Sequence, residues 1–137
     1  MRKILLLSVL LVSVNLIFAQ DTEKPRYLTI TQKECVQKKG YRLLLKNVIS
    51  DSRCPEGVNC IWAGEVKAVV SVYQDRKLLE NTTLTFSAKT LEENIAWFSK
   101  YLPVQKRNIK STEILPYPKD SIRINPKAYF IKIGYSK

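Results

Sequence analysis

Gly64-Glu65-Val66-Lys67-Ala68-Val69-Val70-Ser71-Val72-Tyr73 carries the plainest pattern in the chain, and it is a pattern of strands. Val66, Ala68, Val70 and Val72 recur at every second position, with Glu65, Lys67 and Ser71 between them. A period of two puts the first set on a core face and turns the second outward. Gln74-Asp75-Arg76-Lys77 interrupts the run with four polar residues, and Leu78 to Phe86 returns with Leu84 and Phe86 inward. The two segments predict a β-hairpin. Its connection lacks Asn-Gly or Asp-Gly, so the pattern leaves the loop length open.

Working outward, alternation recurs at both ends. Upstream, Tyr27 to Thr31 is short and rich in β-branched residues. After Gly40, the run Tyr41 to Ile49 sets Tyr41, Leu43, Leu45 and Ile49 on one face and Arg42 and Lys46 on the other. At the far end Tyr129, Ile131, Ile133 and Tyr135 share a side, leaving Lys132 outward. Ile122 to Ile124 reads as a further short strand before Pro126. Lys106 to Lys110 reads as a solvated loop or edge strand. Ile114-Leu115-Pro116-Tyr117-Pro118 is extended and proline-stiffened, which confines it to an edge or a connection.

One segment departs from this period. Thr90-Leu91-Glu92-Glu93 has the spacing of a capping box, and Leu91, Ile95, Phe98 and Leu102 follow at helical intervals before Pro103. A short amphipathic helix from about Leu91 to Tyr101 is expected, with Trp97 and Phe98 on its packing face. The sum is a mainly β chain of six or seven short strands and one helix. Its expected fold is a compact antiparallel β-sandwich or partly open barrel.

The chain has 137 residues and opens with Met1-Arg2-Lys3, an apolar run from Ile4 to Phe18, and Ala19. A basic start, a short apolar core and a small residue are the parts of a secretory signal peptide, here residues 1–19. The run is shorter than the roughly 20 residues a spanning helix requires. Residues 20–26 read as a flexible leader, and 27–137 as a single β-rich domain. Removing Arg2 and Lys3 lowers the net charge of +11 by two. Such a surplus favours attraction to anionic surfaces. Export and the dispersal of the lysines argue against nucleic acid as the partner.

Between the strands lies the densest cluster of unusual residues, Asp51-Ser52-Arg53-Cys54-Pro55-Glu56-Gly57-Val58-Asn59-Cys60-Ile61-Trp62-Ala63-Gly64-Glu65. It cannot be regular strand across Pro55 and Gly57. In an oxidising compartment Cys54 and Cys60 are expected to pair, closing a short loop worth about 2 kcal/mol in the chain-entropy account. Cys35 is then left as a free thiol or an intermolecular link. Asp51 and Ser52 can start a turn, and Arg53 offers a planar fork to Asp51, Glu65 or a partner's carboxylate. Trp62 is expected to lie over the disulfide, and Gly64 to permit close backbone approach. The structural reading is a clasp between two strands; the functional one is a rigid loop presenting Arg53 and Glu56 to a partner.

The chemistry this chain can support is narrow. It contains no histidine, which removes Ser-His and Cys-His nucleophile schemes and the commonest metal ligand. Five residues between Cys54 and Cys60 is too wide for the usual zinc pair and wrong for thioredoxin-type redox work. The four glycines are isolated, so there is no phosphate-binding loop. Asp51, Glu56 and Glu65 could form a carboxylate pair of the glycosidase kind, but each also has a simple structural use. No cofactor or metal is expected.

Asp51 through Gly64, as Asp-Ser-Arg-Cys-Pro-x-x-Val-x-Cys-x-Trp-Ala-Gly, resembles the signature of a family of uncharacterised small exported bacterial proteins. The close match runs from about Val48 to Tyr73, and Leu115-Pro116-Tyr117-Pro118 and the closing strand are similar. The resemblance implies a periplasmic or secreted β-rich domain and supplies no activity. The leading expectation is a non-catalytic extracytoplasmic domain that binds a partner, either a protein or an anionic envelope surface. A secreted inhibitor or effector presenting the Cys54–Cys60 loop, and a small-ligand carrier, are the alternatives.

Overall fold

The computed structural model describes residues 24–33 and 40–136. The segment read as a signal peptide, most of the leader, and Cys35 lie outside the described residues. Six strands and one α-helix follow in order. They are β1 (Arg26–Ile30), β2 (Tyr41–Asp51), β3 (Val66–Gln74), β4 (Lys77–Phe86), α1 (Leu91–Tyr101), β5 (Ile109–Leu115) and β6 (Phe130–Tyr135). They form two three-stranded antiparallel sheets, ordered β1-β6-β5 and β2-β3-β4. The sheets are not closed into a barrel. The arrangement is mainly β, as expected, and is consistent with the expected β-sandwich. A backbone bond from Leu45 N–H to the Thr31 carbonyl, 3.1 Å, ties the sheets together at one seam.

β3 behaves as its alternation requires. Val66, Ala68, Val70 and Val72 are all fully buried, and Leu84 and Phe86 of β4 lie beside them. Ile30, Ile109, Ile114, Ile131 and Ile133 of the other sheet, with Leu45, close on the same core. The β3–β4 connection is a two-residue turn in which Asp75 (φ 48°) and Arg76 (φ 71°) both adopt left-handed backbone. This is the turn geometry that suits hairpin twist, reached without the glycine that usually supplies it. Ser71, expected to face solvent, is buried on the outer face and donates to Asn81 at 2.6 Å.

β2 departs from the expected alternation. Its pairing with β3 shifts between Leu45 and Asn47 and again between Val48 and Ser50, so Lys46 and Ile49 are bulged residues without a partner. The core-facing positions become Leu43, Leu45, Val48 and Asp51, opposite Val72, Val70, Ala68 and Val66. Ile49, assigned inward by simple alternation, is exposed, and Val48 takes its place. The second bulge also delivers the carboxylate of Asp51 to the end of the core face.

α1 has the expected bounds and buries Phe98 with Leu102 just beyond its end. Its start is organised one turn earlier than the capping-box spacing implied. Thr90 Oγ1 accepts from the Ser87 N–H at 3.1 Å and donates to the Thr85 carbonyl at 2.6 Å, so it closes a short 3-10 turn, Ala88–Thr90, instead of reaching Glu93. Asn94, buried, donates to the same Thr85 carbonyl at 2.9 Å. The helix is thereby pinned to the end of β4. Ile122 to Ile124 is not a strand: it contributes one isolated bridge, Lys119 to Ile122, and Ile122 is exposed. β5, by contrast, is the edge strand its polar start and prolines implied.

Candidate functional site

The loop from Ser52 to Glu65 continues the β2–β3 hairpin as a narrow stem. Ser52 N–H donates to the Glu65 carbonyl (2.9 Å), and Cys54 N–H to the Ala63 carbonyl (2.9 Å). The Ser52 hydroxyl adds two bonds, donating to the Glu65 carbonyl at 3.1 Å and accepting from the Glu65 N–H at 3.2 Å. Gly64 makes this stem possible. Its φ is +75°, and a Cβ there would lie 1.9 Å from the Ser52 carbonyl oxygen. The close approach expected of Gly64 is therefore a requirement of the stem.

Above the stem, Cys54 and Cys60 are joined in a disulfide, the expected pair. Glu56 N–H donates to the Pro118 carbonyl at 2.9 Å, and the Glu56 carboxylate lies 4.0 Å from the Lys119 ammonium. One side of the loop is thus laced to the segment following β5.

Below the stem sits Arg53, which takes Asp51, one of the three acceptors expected for it. Its Nε and Nη2 grip Asp51 at 2.8 and 2.6 Å, and it donates to the carbonyls of Ile114 (Nη1, 2.5 Å) and Pro116 (Nη2, 3.0 Å). The Tyr117 ring lies 4.7 Å from the guanidinium carbon. Only 9% of the Arg53 side chain and 11% of the Asp51 side chain are exposed. Arg53 is therefore not presented to a partner; it bolts the loop base of one sheet to the edge strand of the other. Tyr129, from just before β6, donates its hydroxyl to Asp51 Oδ2 at 3.1 Å.

These contacts bear on the ionisation of Asp51 and Tyr129. Burial pushes the Asp51 pKa upward, but the hydrogen bonds and charge of Arg53, with help from Tyr129, outweigh it and hold the carboxyl below its ordinary value. Tyr129 is raised, by burial first and then by the Asp51 charge beside its hydroxyl.

The three carboxylates considered as a pair of the glycosidase kind go separate ways. Asp51 is taken by Arg53, Glu56 by Lys119, and Glu65 by Lys67 at 3.2 Å. Glu65 is thus not a partner of Arg53. Trp62, expected to lie over the disulfide, is 65% exposed, and Ile61 beside it is fully exposed at 105%. With Val58, also exposed, they make an apolar tip on a braced loop. Among the described residues, no three His, Cys, Asp or Glu are grouped so as to hold a metal ion.

A cleft of about 320 Å³ opens between this stem, the free edge of β5 and the start of α1. Val66, Phe86, Leu91 and Ile114 are among its apolar walls, and Arg53, Thr112 and Glu113 among its polar ones. Sequence reasoning did not place Tyr117, Tyr129 or Thr112 at this site. The stiff Leu-Pro-Tyr-Pro stretch was visible as an edge, but nothing local marks its carbonyls as acceptors for a residue more than 60 positions earlier. Comparison with protein families, with curated proteins and with solved structures finds no match to this chain.

Proposed function

We propose that this chain is a non-catalytic binding domain, acting outside the cytoplasm, that inserts the tip of its stapled loop into a concave surface of another protein. The observation that carries the reading is the exposure of Ile61 and Trp62 on a disulfide-closed loop whose base, neck and one side are fixed. Large apolar side chains held out on flexible loops would lose binding energy to ordering; held on a rigid one they do not. Tryptophan is also among the residue types that dominate binding energy when buried at an interface.

Three features support the setting. The disulfide belongs to an oxidising compartment. Among the described residues no helix is long and apolar enough to cross a membrane. The amino-terminal residues have the composition of an export signal, and the loop signature resembles that of exported proteins. The histidine-free composition and the separate pairing of each loop carboxylate support a non-catalytic role.

The test is site-specific photocrosslinking in cells that express the full chain. A benzophenone amino acid at position 61 should give one discrete protein adduct, identifiable by mass spectrometry and lost when Trp62→Ser is added. The same probe at position 79, an exposed leucine on the β4 hairpin, should not give it. Adducts only to lipid, no adduct at 61, or an adduct indifferent to Trp62→Ser would overturn the reading.

A further inference from the structure

The cleft beside the stem is a separate feature from the loop tip, and its chemistry is specific. On the core-facing side of β5, Thr112 stands opposite Ile133, where its neighbour Ile114 stands opposite Ile131. A hydroxyl replaces a methylene in an otherwise apolar row. That hydroxyl is buried and has no hydrogen-bond partner, the one such side-chain atom among the described residues. Leaving a buried hydroxyl unpaired is unfavourable, because its bonds to water are lost and nothing replaces them. Thr112 lines the cleft, and a χ1 rotation of one staggered well would carry its hydroxyl into the place its methyl now holds, the methyl moving on to the place of the Cβ hydrogen. An acceptor or donor seated in the cleft would relieve that cost.

The remaining walls narrow the occupant. Val66, Phe86, Leu91 and Ile114 supply an apolar floor. Arg53 belongs to the wall, but Asp51 neutralises its charge, and four of its five N–H groups are already engaged. One Nη1 hydrogen is left for an uncharged acceptor. Glu113, exposed at the rim, repels an anion, and the apolar floor penalises any bare charge. The backbone of β5 adds a further element. Ile114 turns its carbonyl away from β6 toward Arg53, and alternation turns the backbone groups of Thr112 the same way. The volume, about 320 Å³, lies at the small end for ligand sites.

We propose that this cleft binds a small uncharged molecule that joins one apolar ring or short chain to an amide, ester or alcohol group, with Thr112 as the polar contact. The site is independent of the loop tip, and either can fail without the other.

The experiment uses three probes that share a benzyl side chain: N-acetyl-phenylalaninamide (neutral), N-acetyl-phenylalanine (anionic) and phenylalaninamide (cationic). Each is titrated into the isotope-labelled domain by backbone NMR up to about 10 mM, the weak range for molecules this small. The neutral probe should give saturable shifts at Gly64, Leu91 and Ser111 to Ile114, and the charged ones markedly weaker binding. Thr112→Val, which keeps shape and removes the hydroxyl, should weaken the neutral probe about tenfold. Ala88→Phe, on an exposed wall residue, should block the cleft and abolish the shifts. No saturable shift at the cleft, tighter binding of a charged probe, or Thr112→Val leaving affinity unchanged in the folded protein would each overturn the proposal.

Discussion

Arg53 and Asp51, two residues apart at the end of one sheet, form a two-pronged ion pair whose guanidinium also holds the Ile114 carbonyl of the other sheet's edge strand and the Pro116 carbonyl just past its end. This is a joint between layers, made where the hydrophobic contact between them ends. Val66, opposite Asp51, is the last core residue of β3 before the loop. A sandwich whose sheets are joined only by apolar packing is free to splay at its ends. Here the splay is resisted at the end that carries the exposed tip, so the loop inherits a fixed orientation from the core.

Removing one half of this joint should cost far more than a surface ion pair. Arg53→Met leaves the Asp51 carboxylate nearly buried without its counter-charge, and the Ile114 and Pro116 carbonyls without their donor. A loss of about 3–5 kcal/mol is expected, measured by urea unfolding at neutral pH. Asp51→Leu combined with Arg53→Met should recover part of that loss by removing the stranded charge. Recovery should stay incomplete, because the two carbonyls remain without donors.

The same pair makes stability depend on acid. The folded pKa of Asp51 lies below its ordinary value of 3.8, so its contribution is complete above that value and is lost as pH falls through the folded one. Asp51→Asn should be less stable than the parent at pH 7, and the gap should close as pH drops below about 4. Tyr129 gives the opposite arm. Its folded pKa is raised above 10.0, so its contribution is present below that value and lost as pH rises through the folded one. The gap between the parent and Tyr129→Phe should therefore narrow at strongly alkaline pH. Gaps that do not change with pH in unfolding curves would contradict both assignments.

These dependences could not have been anticipated from the chain, and the reasons differ by residue. β3 was legible because every inward position from Val66 to Val72 is aliphatic, and the bulged residues of its pairings fall on β2 and β4 and not in β3 itself. β2 was not, because Lys46 and Ile49 bulge out of register, and a bulge is a property of two strands rather than one. The alternation rule then assigned Ile49 to the core instead of Val48. Thr90 had the right spacing for a cap but bonds back to Ser87 and Thr85, through a tertiary arrangement that local spacing does not encode. At the loop, the disulfide followed from proximity in sequence, and the role of Gly64 from its place in the neck. Asp51 was one of the acceptors considered for Arg53, but the carbonyls of Ile114 and Pro116 lay beyond reach, because a guanidinium selects among all nearby acceptors once the sheets have met.

Two glycines of the loop should respond unequally to alanine. Both have positive φ, +83° at Gly57 and +75° at Gly64. A Cβ on Gly57 meets nothing within 4 Å, so only the left-handed penalty applies, about 1–2 kcal/mol. A Cβ on Gly64 would collide with the Ser52 carbonyl, and the stem would have to open. Gly64→Ala should therefore lower the melting temperature several degrees further than Gly57→Ala. Equal effects in thermal unfolding would mean that the stem yields easily and is not the neck described above.

The disulfide should matter more to the tip than to the fold. Replacing both cysteines, Cys54→Ser with Cys60→Ser, releases a short loop and should cost about 2 kcal/mol, a modest share of a domain's stability. The stem bonds at Ser52 and Cys54 and the Arg53 joint lie at or below the neck and should persist, and the Glu56–Pro118 bond holds the closed loop from within without using the disulfide. Amide hydrogen exchange should accordingly rise at Val58 to Trp62 and stay near parental values in β2, β3 and β5. If the tip presents a preordered surface, the crosslink from position 61 should weaken in this variant although the domain remains folded. Unfolding of the whole domain on loss of the disulfide would instead make Cys54–Cys60 a requirement of the core, and the Arg53–Asp51 joint alone insufficient to hold that end of the sandwich.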